Sequence, residues 1–575
     1  MQVTFNRDIA PIVYKYCAPC HRPGEAGPFP LLTYEDTAKF ARQIAVITER
    51  RIMPPWLPEP GELKFAGELR LSDEQIALFK SWADAGATQG EASDLPPAPH
   101  FTPGWQLGQP DLVLKAKKPY ALATSGTDNY WNFIFPTNFP KTRWVKAIEI
   151  RPGEKRVVHH ANILLDREES SRSQEKHPGD GFPGMELRIE SENFDPDSHI
   201  FFWKPGSVPH VEPDDMALRL EPGSDLVLNT HLQPSGKPES IQPTIGLYFT
   251  DKPATKFPVL LELQNDKALD IPVGASDFEV TDELAMPVDV DLLAIYPHAH
   301  YLGKDLLATA QLPDGSKHTL IHIPRWDLNW QAVFYYADRV FLPKGTIVRM
   351  RYLYDNSSAN IANPFHPPQR VRGGNRTTDE MAHLWLQVLP WGDVTEASAA
   401  RRTLQEAIAR HDVTRDPQDF AAQYNLAAML QARGEMREAL EHFDEAVAIH
   451  PTDPIANNAL GGALLALGRA SEAIQPLLTA LKEKPNYFAA NYNLGNAYAA
   501  LGDFDQAIGR FQEAVRLKPD DSMAEANLGA ALAERGQFEL SKTHLERALK
   551  LDPHNSIAQD NLEEVQRRLA EKPNQ

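Results

Sequence analysis

The stretch Tyr296-Pro297-His298-Ala299-His300-Tyr301-Leu302-Gly303 decides how the rest of this 575-residue chain is read. The residues before it, Val288, Val290, Leu292, Leu293 and Ile295, predict a strand. On a strand, residues two apart share a face, so His298 and His300 can converge on one metal ion from a single rigid element. Two imidazoles do not fill a coordination sphere. The pair is therefore half a site, and its remaining ligands have to come from elsewhere in the chain.

The surrounding sequence belongs to an ordinary globular protein of several domains. It is 42% hydrophobic and 24% charged, enough to build sizeable cores, and its length predicts three or four domains at about 150 residues each. A formal charge of −20 argues against nucleic acid, whose phosphates demand clustered Lys and Arg. No run of about 18 apolar residues predicts a membrane span. The first residues are neither basic nor followed by an apolar stretch, so no signal peptide is visible.

The two cysteines stand together in Cys17-Ala18-Pro19-Cys20-His21, which leaves the rest of the chain without disulfides. C-x-x-C-H is a haem c attachment pattern: two thiols bond the porphyrin edge and the next imidazole ligates iron. The competing reading, a thioredoxin-like C-x-x-C, lacks a following βαβ pattern. Apart from Met1, the first hundred residues hold one methionine, Met53, which supplies a second axial ligand of the kind that suits electron transfer. Helical runs predicted over Thr37–Arg51 and Ser72–Ala85, with Ser72 as N-cap, bracket it. Residues 1–92 resemble a c-type cytochrome, which implies haem c and a periplasmic or exported location. Pro96, Pro97, Pro99 and Pro103 mark residues 93–104 as a linker.

From residue 105 to 395 the texture changes to short apolar segments separated by Pro, Gly and Asp, including Asp111–Lys115, Trp144–Ile150, Val157–Leu165, Asp225–Leu232, Thr244–Phe249 and Ile347–Leu353. That spacing predicts β-sandwiches. Within it, His159 and His160 are adjacent, and neighbours on an ideal strand face opposite ways. Both can ligate one ion only where the strand bends or ends; otherwise one is core and the other surface. His231 sits inside an apolar strand. Met381 follows a Gly373-Gly374 turn and precedes a strand of Leu384, Leu386 and Val388, where a lone methionine is ordinarily core. His177, His199, His210, His318, His322 and His366 read as surface or structural residues, with His366 and His383 the leading candidates for exceptions.

Taken together, these positions resemble one family, the copper type II, ascorbate-dependent monooxygenases, which include peptidylglycine α-hydroxylating and dopamine β-monooxygenases. The resemblance implies two jelly-roll-like β-sandwich half-domains, here 105–262 and 263–395. It implies one copper held by His159, His160 and His231, which stores an electron, and a second held by His298, His300 and Met381, which activates oxygen and hydroxylates a C–H bond. A soft thioether beside two imidazoles suits Cu(I). Two positions depart from the peptide-amidating members. Tyr296 stands where they have an Arg, and His383 and Trp385 stand where they have Asn and Tyr. A peptide substrate is therefore not expected, and Tyr296 with Trp385 predicts an aromatic or apolar one.

Past a connecting helix (396–419), Pro451, Pro485, Pro519 and Pro553 recur every 34 residues, as do Gly434, Gly468, Gly502 and Gly536. Phe443, Leu477, Phe511 and Leu545 keep the same step. This period resembles the tetratricopeptide repeat, with units 420–453, 454–487, 488–521 and 522–555 and a capping helix to 571. The expected chain is thus a fusion: a helical cytochrome c, two copper β-domains and an α-solenoid. It predicts a copper monooxygenase acting on a small molecule with O2, electrons coming from an external reductant or redox protein through haem, and a protein or peptide partner on the repeats. One alternative is a non-catalytic haem/copper electron-transfer protein on a repeat scaffold; another makes the repeats primary and the rest a sensor input.

Overall fold

Strand Val290–His298 alternates buried and half-buried residues along most of its length, as a strand in the sheet of a sandwich must. In the computed structural model it lies between strands Phe334–Leu342 and His383–Pro390, and Val259–Gln264 completes an antiparallel sheet of four. A second antiparallel sheet, Phe278–Ala285, Ile347–Tyr354, Gly303–Gln311 and Lys317–Ile323, belongs to the same half. Tyr352 and Tyr354, both fully buried, reach between the sheets: their hydroxyls donate to the carbonyls of His383 (2.8 Å) and Met381 (2.7 Å). The backbone that presents Met381 is thereby tied to the opposite sheet. The structure describes all residues except 1, 26, 102–103, 127–128, 168, 185–198 and 572–575. Thr102 and Pro103 of the expected linker lie outside the described residues, as does part of the first expected β-domain.

The first half is built the same way. One antiparallel sheet contains Leu112–Lys115, Thr244–Thr250, Arg143–Arg151 and Leu218–Leu220; the other contains Phe182–Pro183, Asn129–Pro136, Asp225–Leu232, Val158–Asp166 and Phe201–Trp203. Val145, Ile148 and Leu247 from one sheet share a single core with Phe133, Val158, Ile163 and Leu228 from the other.

The N-terminal segment is helical over Ala10–Tyr16, Tyr34–Ala38, Ala41–Glu49 and Asp73–Asp84. Ser72 caps the last of these in a full capping box with Gln75, as sequence predicts. The helix expected over Thr37–Arg51 is instead two pieces: the chain turns at Lys39 and Phe40, where Phe40 stacks on Phe29 at 3.8 Å. Residues 59–66 then run along the second β half, with Ala66 N donating to Tyr335 O and Lys64 O accepting from Ala337 N.

The chain divides into two compact units, Met1–Gln405 and Glu406–Gln575. The first is the helical and β-rich region; the second is an α-solenoid. The expected connecting helix spans Val394–Arg415, and its Ala409 packs into the core of the first repeats. The first helices of the repeats begin at Phe420, Pro454, Phe488 and Ser522, 34 residues apart, with a last helix at Ser556–Glu571. Gly461, Gly495 and Gly529 receive Leu477, Phe511 and Leu545 of the paired helix: a Cβ at each would lie 2.5 to 2.7 Å from that side chain. Small-against-large contact is what the repeated residue pattern encodes. Among the described residues, no helix is long and apolar enough to cross a membrane.

Candidate functional site

His159 and His160 meet because their strand is irregular. The pairing with Asp225–Leu232 shifts register between Val158 and His160, a bulge that inserts one residue and re-aims its side chain. Both imidazoles then turn toward His231, whose strand is the partner. Each ring centroid lies 5.0 Å from that of His231, and the Nδ1 atoms of His159 and His160 are 3.1 Å apart. One nitrogen from each of the three lies within 4.8 Å of the others. With metal–nitrogen bonds of about 2.0 Å, a 3.1 Å separation corresponds to a ligand angle of about 100°. The three histidines fit one ion. Tyr130 stacks on His231 at 4.6 Å, backing the ring.

His298 and His300 also meet, with ring centroids 5.2 Å apart and planes nearly perpendicular. Both are buried, as is Met381. His298 pairs with His383 across the sheet, which brings the chain at Met381 alongside His300. Two carbonyl-type oxygens set the tautomers. Nδ1 of His298 donates to Oε1 of Gln331 (2.8 Å), and Nδ1 of His300 donates to the Asp379 carbonyl (2.9 Å). Each ring therefore keeps its Nε2 lone pair for a metal, the arrangement typical of metal-ligating histidines. Glu380, fully buried, accepts from the backbone N–H of His300 (2.7 Å), Leu302 (2.6 Å) and Met381 (3.3 Å). Burial pushes its carboxyl up to about 8 against those three donors.

Electrostatics favour metal binding at both clusters. Burial, and then the neighbouring imidazoles, hold His160 and His298 well below the ordinary histidine range, and burial lowers His300. All three are neutral at pH 7, the state that offers a lone pair. His383 is the opposite case. Burial alone would lower it, but Glu262 (2.6 Å) and Asp266 (2.8 Å) outweigh that and lift it to about 10. It is an imidazolium held between two carboxylates, so it has no lone pair for a metal. His366 is exposed. His199 bonds the Met216 carbonyl, His318 faces Glu62, and His322 faces Asp305 and Glu59, all structural or surface roles.

The sequence gives no hint of Gln331. It is 1% exposed and lies between the clusters. Its Oε1 accepts from Tyr296 Oη (2.8 Å) and His298 Nδ1, and its Nε2 donates to His160 Nδ1 (3.2 Å). One amide thus touches a histidine of each half. Tyr296 in turn stacks on Trp385 at 5.1 Å.

Cys17, Cys20, His21 and Met53 line a single cavity of about 620 Å³, whose other wall is formed by Phe202, Lys204, Trp330 and Tyr335 of the β region. Its residues fit a covalently held haem on several counts. His21 Nδ1 lies 3.1 Å from the Phe29 carbonyl; a carbonyl only accepts, so Nδ1 carries the proton and Nε2 keeps its lone pair. Gly206, at φ +83°, lets backbone pass against Cys20: a Cβ there would sit 2.5 Å from Sγ. Burial pushes the Cys17 thiol up to about 12 and raises Cys20 as well, whereas redox-active C-x-x-C pairs have depressed values. Phe202 lines this cavity and also packs on His160 (5.8 Å) and Tyr296 (5.3 Å).

Comparison with known proteins speaks to the solenoid. Residues 394–454 and 492–556 match one tetratricopeptide-repeat family model, and residues 430–486 match another. No curated protein matches the chain. Among solved structures, it is similar to YrrB, a TPR protein with an unusual peptide-binding site (22% identity, 29% of this chain and 84% of that one, TM-score 0.26). It is similar also to MamA from Desulfovibrio magneticus RS-1 (22%, 27% and 90%, 0.25). A third is the first TPR of Spaghetti (RPAP3) bound to the HSP90 peptide SRMEEVD (26%, 20% and 94%, 0.20). The C-terminal region is a tetratricopeptide-repeat array.

Proposed function

We propose that the chain is a copper-dependent monooxygenase that hydroxylates a C–H bond of a small-molecule substrate with O2, fused to a haem c that supplies electrons. His159, His160 and His231 would hold one copper, and His298, His300 and Met381 the other. Cys17 and Cys20 would attach the haem, with His21 and Met53 as its axial ligands. When bound, the thioether-ligated copper supplies oxygen activation, the all-imidazole copper stores an electron, and the haem relays electrons from an external reductant or redox protein. The observation that carries this reading is the convergence of the two histidine clusters on Gln331.

The chain's own residues do the positioning. Gln331 and the Asp379 carbonyl fix the His298 and His300 tautomers, Glu380 clamps the loop between them, and Tyr354 holds the Met381 backbone. Tyr296 stacked on Trp385 gives the second cluster an aromatic flank suited to an apolar substrate. Haem c attachment takes place outside the cytoplasm, so we place the protein in the periplasm or beyond. The repeats would serve a protein or peptide partner.

Metal content tests the reading. Expressed with haem attachment and loaded with copper, the intact chain is expected to hold one haem and two coppers, and His231→Ala and Met381→Ala one copper fewer each. No copper in the parent, or no loss in either variant, reduces the clusters to incidental histidines. A second reading, a non-catalytic haem/copper electron-transfer protein, draws on the fact that the Gln331 side chain occupies the space between the clusters. Oxygen uptake that depends on an added apolar substrate favours the enzyme; its absence across such compounds, with both coppers bound, favours the carrier.

A further inference from the structure

Gln331 belongs to neither set of candidate ligands, yet it is the one side chain described above that bonds both. It follows the short helical turn Leu328–Trp330, which Asp327 caps and whose Trp330 carbonyl accepts from Lys204 Nζ (3.1 Å). The backbone beneath the amide is thus anchored on both sides. Its Oε1 takes two donors, Tyr296 Oη and His298 Nδ1, and its Nε2 gives a proton to His160 Nδ1. A Gln amide has two donors and one acceptor oxygen; buried and held on three sides, it has one orientation.

The three contacts are chemically unequal. The His298 bond uses the nitrogen that a metal does not need, since the tautomer leaves Nε2 for ligation. The His160 bond uses Nδ1, the atom that faces His159 Nδ1 across 3.1 Å and that an ion in the first cluster would take. An ion there therefore displaces the Gln331 N–H. An ion on His298 has the opposite effect on the bridge: it makes the Nδ1–H a stronger donor to Oε1, which polarises the amide and strengthens its N–H toward His160. Each occupied cluster opposes the other through one side chain.

Resting on the copper reading above, we propose that Gln331 is a positioning residue that couples the two histidine clusters negatively, so that filling one weakens metal binding at the other. Coupling of this kind is reciprocal, and it staggers the loading of two sites that lie a single amide apart.

The experiment is copper titration of the full haem-loaded chain, followed by calorimetry and by the Cu(II) spin-resonance signal. The dissociation constant of the first cluster is measured with the second cluster filled, and again in His300→Ala, where the second cannot fill and the His298–Gln331 bond stays. The filled second cluster is expected to weaken the first by about fivefold or more, the low end of ordinary intersite coupling. In Gln331→Leu the ratio is expected to fall within about twofold. Simple repulsion between two copper ions would survive that substitution; the bridge would not. Gln331→Asn keeps an amide one methylene too short to reach both rings, and the same loss is expected there. This provides the test should the leucine variant fail to retain its haem spectrum. A ratio unchanged in the variants, or no coupling in the parent, overturns the role of Gln331 and leaves the copper reading standing. No copper at either cluster overturns both.

Discussion

The Nδ1 atoms of His159 and His160 lie 3.1 Å apart although the residues are sequence neighbours on one strand. Regular pleating would send them to opposite faces, and the bulge at this point is what brings them together. His159, the inserted residue, contributes little to the ladder. His159→Ala is therefore expected to keep the fold, with a thermal midpoint within a few degrees of the parent, and to lose one copper by elemental analysis. Retention of both coppers would show that this pair does not act as a unit.

Glu380 carries the second cluster in a different way. Its carboxylate takes three backbone N–H groups from the segments bearing His300 and Met381. Removing a buried acceptor costs about 1–3 kcal/mol per stranded donor. Glu380→Ala is expected to destabilise the first unit by about 3 kcal/mol or more and to loosen copper at His298/His300. Glu380→Gln keeps an oxygen for the His300 and Met381 N–H groups but turns an NH2, which cannot accept, toward the Leu302 N–H, so it should recover only part of both. Chemical denaturation with copper content read on the same samples checks this; equal damage from the two substitutions would mean that the bonds to His300 and Met381 are not what holds the cluster.

Five of the six candidate ligands stand out in the sequence through a short local pattern, namely adjacent histidines, an alternating pair and a methionine after a glycine turn, while His231 stands alone inside an apolar strand. The repeats were legible because proline, glycine and a large apolar residue, as in Pro519, Gly502 and Phe511, each recur every 34 residues; that Gly495 is the small residue receiving Phe511 came from the structure. Gln331, Glu380 and Phe202 were not legible. Each acts through a contact between elements far apart in sequence, and a lone Gln, Glu or Phe carries no spacing that would announce it. His383 misled for the same reason, since Glu262 and Asp266, which hold its proton, lie on and just beyond a neighbouring strand.

Lys204 lends itself to a pH test. Burial pulls its ammonium down to about 8 from an ordinary 10.5, so the folded chain gives up this proton more readily than the unfolded one. Stability then rises with pH between about 8 and 10.5 on this account and is lowest, by at most about 3 kcal/mol, below that window. Lys204→Met is expected to stabilise the first unit at pH 7, by less than that figure because the bond to Trp330 is lost, and to bring no gain above pH 10.5. Unfolding midpoints across pH 7 to 11 measure it, and a pH-independent difference would rule out the lysine charge as the cause.

Two glycines in neighbouring helices of one repeat should answer oppositely to the same change. A Cβ at Gly495 would lie 2.5 Å from the Phe511 ring, whereas one at Gly509 meets nothing within 4 Å. Gly495→Ala is expected to destabilise the solenoid by about 1–3 kcal/mol through overpacking, and Gly509→Ala to stabilise it by about 0.5–1 kcal/mol through helix propensity. Denaturant unfolding monitored by helical circular dichroism separates them. The same sign for both would mean that the small-against-large contact is not what sets the repeat's stability.

Phe202 joins the haem cavity to the histidines: it lines the cavity and packs at 5.8 Å on His160 and 5.3 Å on Tyr296. If the cavity holds the electron source, this ring is one direct packed connection from it to the first cluster, beside the one through Trp330 and Gln331. Phe202→Leu keeps the cavity apolar and shortens the bridge, so haem content and copper content should both stay at parent levels. What should change is the rate at which reduced haem is reoxidised by the copper-loaded chain, followed at the haem absorption band under anaerobic conditions. The parent is expected to reoxidise faster with copper than without it, and Phe202→Leu to lose most of that acceleration. Acceleration by copper that Phe202→Leu leaves intact would move the connection to the Trp330–Gln331 side of the cavity. Reoxidation indifferent to copper in the parent would separate the haem from the histidine clusters altogether.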